Sequence, residues 1–292
     1  FIAGDGVGPE VAWAARRCVD ASGARVEWTD VPAGQEAFGR TGDAFGAAAA
    51  AALSRLRLAL KAPLESGTGG RGRNPNIVLR ELLGVYAAVR HCRSYGGRGS
   101  PWEGMDVLVM MQENVSPLSA AGEEPAAETP ARRFFDFAFG RAVAAGRRRV
   151  TVAHRAASAA SVEGRWLRAA EEASRRFPGL SFEDQLAGHV AMQMARAPQR
   201  FDVILAAGPA GEILGDLGVG LAGGLGMVPE SLQGTEGALF TTVHGTAPKY
   251  AGLDRVNPAA MILAAAELLD FIGAPAPATR IRAGLEHVLW SG

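Results

Sequence analysis

Apolar and polar positions along this chain repeat at two periods in turn. After Pro9, a residue suited to the first turn of a helix, Val11, Ala14, Ala15 and Cys18 fall on one helical stripe. Ala47 to Leu56, Arg132 to Ala145, Gly164 to Arg176 and Met261 to Ile272 also read as helices, the second of these closed by Gly146. Between them lie short runs with strand character: Arg25 to Thr29, Leu58 to Ala62, Asp106 to Met111, Val150 to Ala153 and Val203 to Ala207. Phe1 to Ala3 reads as the end of another strand, with a few residues expected before it, and Gly4 to Gly8 as the turn that leaves it. Strands alternating with helices predict an α/β architecture. No internal repeat is visible. One low-complexity stretch, Ala120 to Ala131, predicts a mobile loop or a shortened arm.

Composition narrows the class. A chain of 292 residues, 48% of them apolar, can form one large or two modest domains with full cores. Thirty basic residues balance thirty acidic ones, so nucleic acid has no electrostatic footprint to bind. No apolar run reaches membrane-spanning length, because Ala47 to Leu60 is interrupted by Ser54, Arg55 and Arg57. No signal-peptide pattern opens the chain. Cys18 and Cys92 cannot build a disulfide framework, and a reducing, cytoplasmic setting is expected. Positive charge is carried almost wholly by arginine. The lysines are Lys61 and Lys249, and the tyrosines Tyr86, Tyr95 and Tyr250.

Several motifs, in order along the chain, together carry a resemblance. They are Gly4-Asp5-Gly6-Val7-Gly8-Pro9-Glu10-Val11, then Lys61-Ala62-Pro63-Leu64-Glu65 with Gly69-Gly70, then Asn76-Ile77-Val78-Leu79-Arg80 with Tyr86 and Arg90. Glu113-Asn114, Phe201-Asp202-Val203, Gly211-Glu212-Ile213-Leu214-Gly215-Asp216 and Gly223-Gly224-Leu225-Gly226 follow. Last comes His244-Gly245-Thr246-Ala247-Pro248-Lys249-Tyr250-Ala251-Gly252 with Asn257-Pro258. One glycine motif alone would say little; the ordered set resembles the isocitrate/isopropylmalate dehydrogenase family.

The resemblance implies an α/β fold of two domains with a central cleft. The expected larger, cofactor-side domain is discontinuous, residues 1–93 with 223–292, and the smaller, metal-side and dimerisation domain is 94–222. It also implies a dimer whose sites borrow residues from the neighbouring subunit. The ligand implied is a small anionic hydroxy acid, held by Arg80, Arg90 and Asn76, with Gln112 at the position of a third arginine. Asn74-Pro75 replaces the serine-leucine of isocitrate enzymes, so substrate identity is not inherited. His244, Gly245, Thr246, Ala247, Lys249, Tyr250 and Asn257 match the adenosine-binding loop. Lys249 and Tyr250 resemble the pair that NADP-dependent members place near the 2′-phosphate, which favours NADP over NAD.

The departures from the family concern chemistry. Its Mg²⁺ or Mn²⁺ is held by three aspartates, whose positions here are Gly188, Glu212 and Asp216; only the last two have ligand atoms. His189 is a softer substitute or, more plainly, a structural histidine. Arg155 stands at the catalytic lysine position, and an arginine stays charged and cannot shuttle a proton. The asparagine that follows is Ala157. The segment Val115 to Ser119 has no tyrosine to protonate an enol. The family's Asn-Leu-Tyr before Gly211 is Gly208-Pro209-Ala210, and Thr241 stands where a glutamate is common. Two readings follow. One is a non-catalytic or regulatory member, a homodimer or the partner of a catalytic paralogue. The other is an NAD(P)-dependent oxidoreductase on a hydroxy-dicarboxylate with weakened or no metal dependence, in which Glu212, Asp216, Glu113 and His189 remain as acid–base groups and Arg155 joins an anion clamp.

Overall fold

The structure is a computed structural model and describes residues 1–65, 73–96, 100–113 and 130–291. Gly69-Gly70, Asn114, the segment Val115 to Ser119 and most of the low-complexity stretch lie outside the described residues. The chain divides into two compact units, Phe1–Val85 with Gly223–Gly292, and Tyr86–Ala222. Both are mixed α/β.

The chain begins with α1 (Gly8–Ala21), α2 (Gln35–Thr41), α3 (Ala47–Leu56), β1 (Leu58–Leu60) and α4 (Pro75–Leu83). The second unit follows with β2 (Val85–Arg93), β3 (Asp106–Gln112), α5 (Pro130–Ala144), β4 (Arg149–His154), α6 (Val162–Ser174), β5 (Ser181–Leu186), α7 (Ala187–Arg196), β6 (Val203–Ala207) and α8 (Gly208–Leu221). The chain then returns to the first unit with β7 (Pro229–Gly234), β8 (Ala238–Thr242), α9 (Ala259–Phe271) and α10 (Pro275–Ser291).

In the first unit, β8 pairs parallel with β1 and antiparallel with β7. Helix α9 is apolar on every face, the pattern of a helix that is surrounded. It packs on β7 and β8 and is flanked by α1 and α10. Phe1, Val11, Leu60, Phe240, Met261 and Leu268 close that core. The stripe of α1 is rotated from the expected one: Val11, Ala12, Ala15 and Val19 are buried, while Ala14 and Cys18 are only partly covered. Arg25 to Thr29 does not form the expected strand. Its neighbour Phe1 gives it only the bonds Phe1 N to Thr29 O (2.8 Å) and Val31 N to Phe1 O (2.9 Å), too few for a ladder.

The second unit is a sheet in the order β2-β3-β6-β4-β5, antiparallel between β2 and β3 and parallel elsewhere. Phe134, Phe135 and Phe139 of α5 and Trp166 of α6 fill one core, with the Phe135 and Trp166 rings 4.7 Å apart. Helix α8 lies on β3 and β6 through a face of glycines. A Cβ on Gly215 would stand 2.9 Å from Arg90 Nη1 and from Met111 Sδ, and one on Gly218 would stand 2.8 Å from Cys92 Sγ. Only glycine permits this close approach.

Candidate functional site

In the first unit the site is assembled around the turn Gly4 to Gly8. Asp5 accepts the backbone N–H of Gln35 at Oδ1 and of Glu65 at Oδ2, each 2.8 Å, and so ties three segments together. Its own N–H reaches Pro63 O (2.7 Å), and Val7 N–H reaches Thr246 O (2.9 Å). Gly6 has φ +60°, and a Cβ there would lie 2.0 Å from Thr246 O. The turn therefore sets the position of the Lys61 loop and of the His244 loop together.

One face of the β1-β8-β7 sheet is the floor of a cavity of about 220 Å³. Leu60 and Phe240 point into the core, so alternation sends Lys61 and Thr241 to the opposite face. Lys61 N–H donates to Phe240 O (2.9 Å), continuing the β1–β8 register and setting Lys61 beside Thr241. Thr241 is directly opposite Glu230 on β7. The row Lys61–Thr241–Glu230 thus crosses three neighbouring strands, with Leu239 and Leu232 alongside it on the same face. Helix α4 covers the row. Pro75 and the side chain of Asn74, which accepts the Asn76 N–H at 2.9 Å, start that helix, and Gly84 ends it. Asn76 and Arg80, one turn apart, look into the cavity, and Lys61 Nζ donates to Asn76 Oδ1 at 3.0 Å.

Lys61 is 7% exposed. Burial pulls its amine down to about 8, with Glu230 and Asp5 opposing and Arg80 assisting that fall. The hydroxyl of Thr241, 3% exposed, is buried with no hydrogen-bond partner. The same holds for His244 Nε2, while His244 Nδ1 lies 3.0 Å from Gly245 O. Thr242 Oγ1 is a third unpaired buried atom among the residues lining the cavity, and buried polar atoms are rarely left so. Sequence reasoning missed Lys61 as a functional group. Its lowered pKa arises from burial and from charges distant in sequence, which no local motif displays.

The loop beyond is exposed. Ala247 is in the left-handed region (φ 37°), a strained setting for alanine. Lys249 Nζ stands 4.8 Å above the Tyr250 ring, so the two form one cationic surface. Thr246 serves the Gly4 to Gly8 turn through its carbonyl. Asn257 has structural work: Oδ1 accepts the Ala259 N–H (2.9 Å) at the start of α9, and Nδ2 approaches Met227 Sδ (3.2 Å). A larger cavity of about 430 Å³, lined by Cys18, Ile262, Ile281 and Leu285, lies beside α10. It is almost wholly apolar, and Arg280 at its edge is committed to Ser22 O by bonds of 2.9 and 2.7 Å, so it lacks convergent polar groups.

The second unit brings its candidate residues into contact with each other. Arg90, 12% exposed, donates to Asp216 Oδ1 at 2.6 Å. Gln112 is buried, and its Oε1 accepts the Trp166 indole N–H at 2.6 Å. Glu212 and Asp216 are one turn apart on the outward face of α8, both exposed. At the C-terminal end of β4, His154 Nε2 meets Asp184 Oδ2 (3.0 Å) and Nδ1 accepts the Ala156 N–H (3.0 Å). These two bonds fix the tautomer with hydrogen on Nε2. Arg155 is exposed, and its backbone N–H donates to Glu163. Gly188 and His189 are exposed on α7, and a Cβ on Gly188 would meet nothing within 4 Å.

Among the described residues no group of three or more His, Cys, Asp and Glu side chains could hold a metal ion. Glu212 and Asp216 offer two carboxylates, one of them already taken up by Arg90. A hard cation prefers about six oxygens, so this pair does not by itself fit the divalent ion that the motifs imply.

The sequence profile described as isocitrate/isopropylmalate dehydrogenase matches residues 1–292. The chain is 33% identical over 281 residues to a probable mitochondrial isocitrate dehydrogenase [NAD], the alpha subunit, of Drosophila melanogaster, covering 92% of this chain and 74% of that protein. It is 30% identical to a mitochondrial isocitrate dehydrogenase [NAD] regulatory subunit of Dictyostelium discoideum, covering 94% and 78%. The crystal structure of isocitrate dehydrogenase from Methylococcus capsulatus superposes with a TM-score of 0.89 at 34% identity, covering 100% of this chain and 90% of that one.

Proposed function

The chain belongs to the isocitrate/isopropylmalate dehydrogenase family, and we propose that it is a non-catalytic or regulatory member, which binds a nicotinamide nucleotide and a small anionic hydroxy acid without ordinary turnover. The observation that carries this reading is the condition of the second unit's residues. The group at the lysine position is an exposed arginine, and the group at one aspartate position is an exposed glycine. A general acid or base is worth about 100- to 10,000-fold in rate. An arginine supplies neither, and no proton transfer is assigned to Arg155. Arg80 and Asn76 hold the acid's carboxylate in the first unit. In the second unit, Arg90 and Gln112 are the groups suited to an anionic ligand, Arg90 by exchanging its bond to Asp216 for one to the anion. His244 to Tyr250 hold the nucleotide, whose bound nicotinamide supplies hydride chemistry wherever a competent proton acceptor is present. The Lys249–Tyr250 surface favours NADP through its 2′-phosphate, and Asn257, at the start of α9, is the further cofactor-side residue.

Two further features complete the reading. The protein acts as a homodimer or as one member of a hetero-oligomer with a catalytic paralogue, in line with the Dictyostelium relative whose name marks it as regulatory. Cys18 and Cys92 are free, which suits a reducing cytoplasmic compartment, and no helix among the described residues is long and apolar enough to cross a membrane.

The test is direct. Purified protein is assayed with isocitrate, isopropylmalate and malate, NAD or NADP, and Mg²⁺, beside thermal-shift titrations of the same ligands. Stabilisation by nucleotide and hydroxy acid without turnover is expected. Turnover at about 1 s⁻¹ or faster would refute a non-catalytic role. One observation favours the alternative, a divergent NAD(P)-dependent oxidoreductase: Lys61 is a buried amine near pH 8, a proton carrier outside the usual positions.

A further inference from the structure

The row Lys61–Thr241–Glu230 places a cation, a hydroxyl and a carboxylate side by side on one sheet face. Lys61 is a buried cation with one neutral hydrogen-bond acceptor, Asn76 Oδ1. An ammonium has three donors, so ligand acceptors have room to join. Thr241 lies between Lys61 and Glu230 and offers an unpartnered hydroxyl where the family commonly has glutamate. A glutamate there would fill the space between the two and place its carboxylate against both Lys61 and Glu230. Threonine puts a shorter, uncharged side chain there. His244 Nε2, with hydrogen assigned to Nδ1 by Gly245 O, is a bare acceptor at the same cavity. A cation, a hydroxyl and a lone pair around one cavity match an oxyanion with an adjoining O–H group.

We propose that Lys61, Thr241 and His244 form an oxyanion subsite of the first unit, and that Thr241 is the residue that opens it. The anion, a carboxylate or a phosphate, bonds to Lys61 Nζ and Thr241 Oγ1, and its neighbouring hydroxyl donates to His244 Nε2. The inference rests on the reading of this unit as the ligand-binding one, and it names a specificity element there. Relatives with glutamate at this position would reject the anion by charge and by volume.

Calorimetric titration of the whole chain with inorganic phosphate and, separately, with malonate tests it. Saturable binding of at least one probe is expected, and which probe binds more tightly assigns the anion's class. Thr241→Glu should weaken that binding by about 10-fold or more, by loss of space and cation together. Thr241→Val, nearly equal in shape, should weaken it roughly 3- to 10-fold by loss of one hydrogen bond. Glu230→Gln removes a charge that keeps Lys61 protonated, so anion binding should vanish at a lower pH than in the unaltered protein. The other charged groups facing Lys61, Arg80 and Asp5, are unchanged in that variant, as is His244 at the cavity mouth. Melting curves establish that each variant is folded. Absence of phosphate and malonate binding, or affinities that stay within twofold in both Thr241 variants, would overturn the proposal. An NADP titration separates the two readings. Nucleotide binding without anion binding sinks the subsite alone, whereas rapid turnover of isocitrate sinks the non-catalytic role and leaves the subsite intact.

Discussion

The two units treat their polar groups in opposite ways. In the first, Thr241 and His244 Nε2 are buried and unpaired, and Lys61 carries its charge at the cost of desolvation. In the second, the candidate groups satisfy one another: Arg90 with Asp216, Gln112 with Trp166, His154 with Asp184. A buried donor left unmade costs about 1–3 kcal/mol, so the first arrangement persists more readily when a ligand repays it. In the second, these pairs are made within the unit, although Arg149 Nε and Gln185 Oε1 are left unpaired there.

Substitutions can break this contrast, starting with the largest effect. Gly6→Val forces a side chain into Thr246 O at a left-handed backbone position, and it should cost at least about 3 kcal/mol in chemical denaturation. It should also abolish any thermal shift by NADP, since the His244 loop loses its anchor. Lys61 gives the next effect, read in the pH dependence of stability. Its folded pKa, about 8, lies below the ordinary 10.5, so the unfolded chain binds the extra proton between those values. Stability should rise with pH across that window, by roughly 3 kcal/mol in all, and Lys61→Met should flatten the rise. Stability independent of Lys61 across the window would show that the amine is solvated after all.

Trp166→Phe keeps the ring packing on Phe135 but strips Gln112 of its donor. Urea denaturation should register a loss of about 1–3 kcal/mol, and an unchanged midpoint would mean that this pair is not the one that secures Gln112. The smallest effect is expected from Arg155→Lys combined with Gly188→Asp. Both positions are exposed and a Cβ at Gly188 meets no obstacle, so stability should stay within about 0.5 kcal/mol. A marked gain in turnover by that variant would show that these two positions limit activity and that the architecture is already competent.

Much of the scaffold was readable from periodicity. Helix α3 and strand β6 occupy the residues that their patterns predict, and the alternation of elements gave the α/β class. Other elements escaped for identifiable reasons. Strand β5, Ser-Phe-Glu-Asp-Gln-Leu, lies at the sheet's margin and is largely exposed, so it has no apolar signal. Helix α8 has glycines at 208, 211, 215, 218 and 220, a composition that reads as loop until its close seat on β3 is known. The motifs named candidate residues but not their partners. That Arg90 is paired with Asp216, or that Lys61 is shielded from water, depends on contacts between positions far apart in sequence.

The glycine seat of α8 has a consequence for descent. Because the buried face consists of Gly211, Leu214, Gly215, Gly218 and Val219, the outward residues at 212, 213 and 216 bear none of the core's packing. Such a helix can trade Glu212 for another residue in a single mutational step with the interior undisturbed, whereas Asp216 is tied to Arg90. The chemistry presented on that outer face can change while the architecture beneath it stays the same.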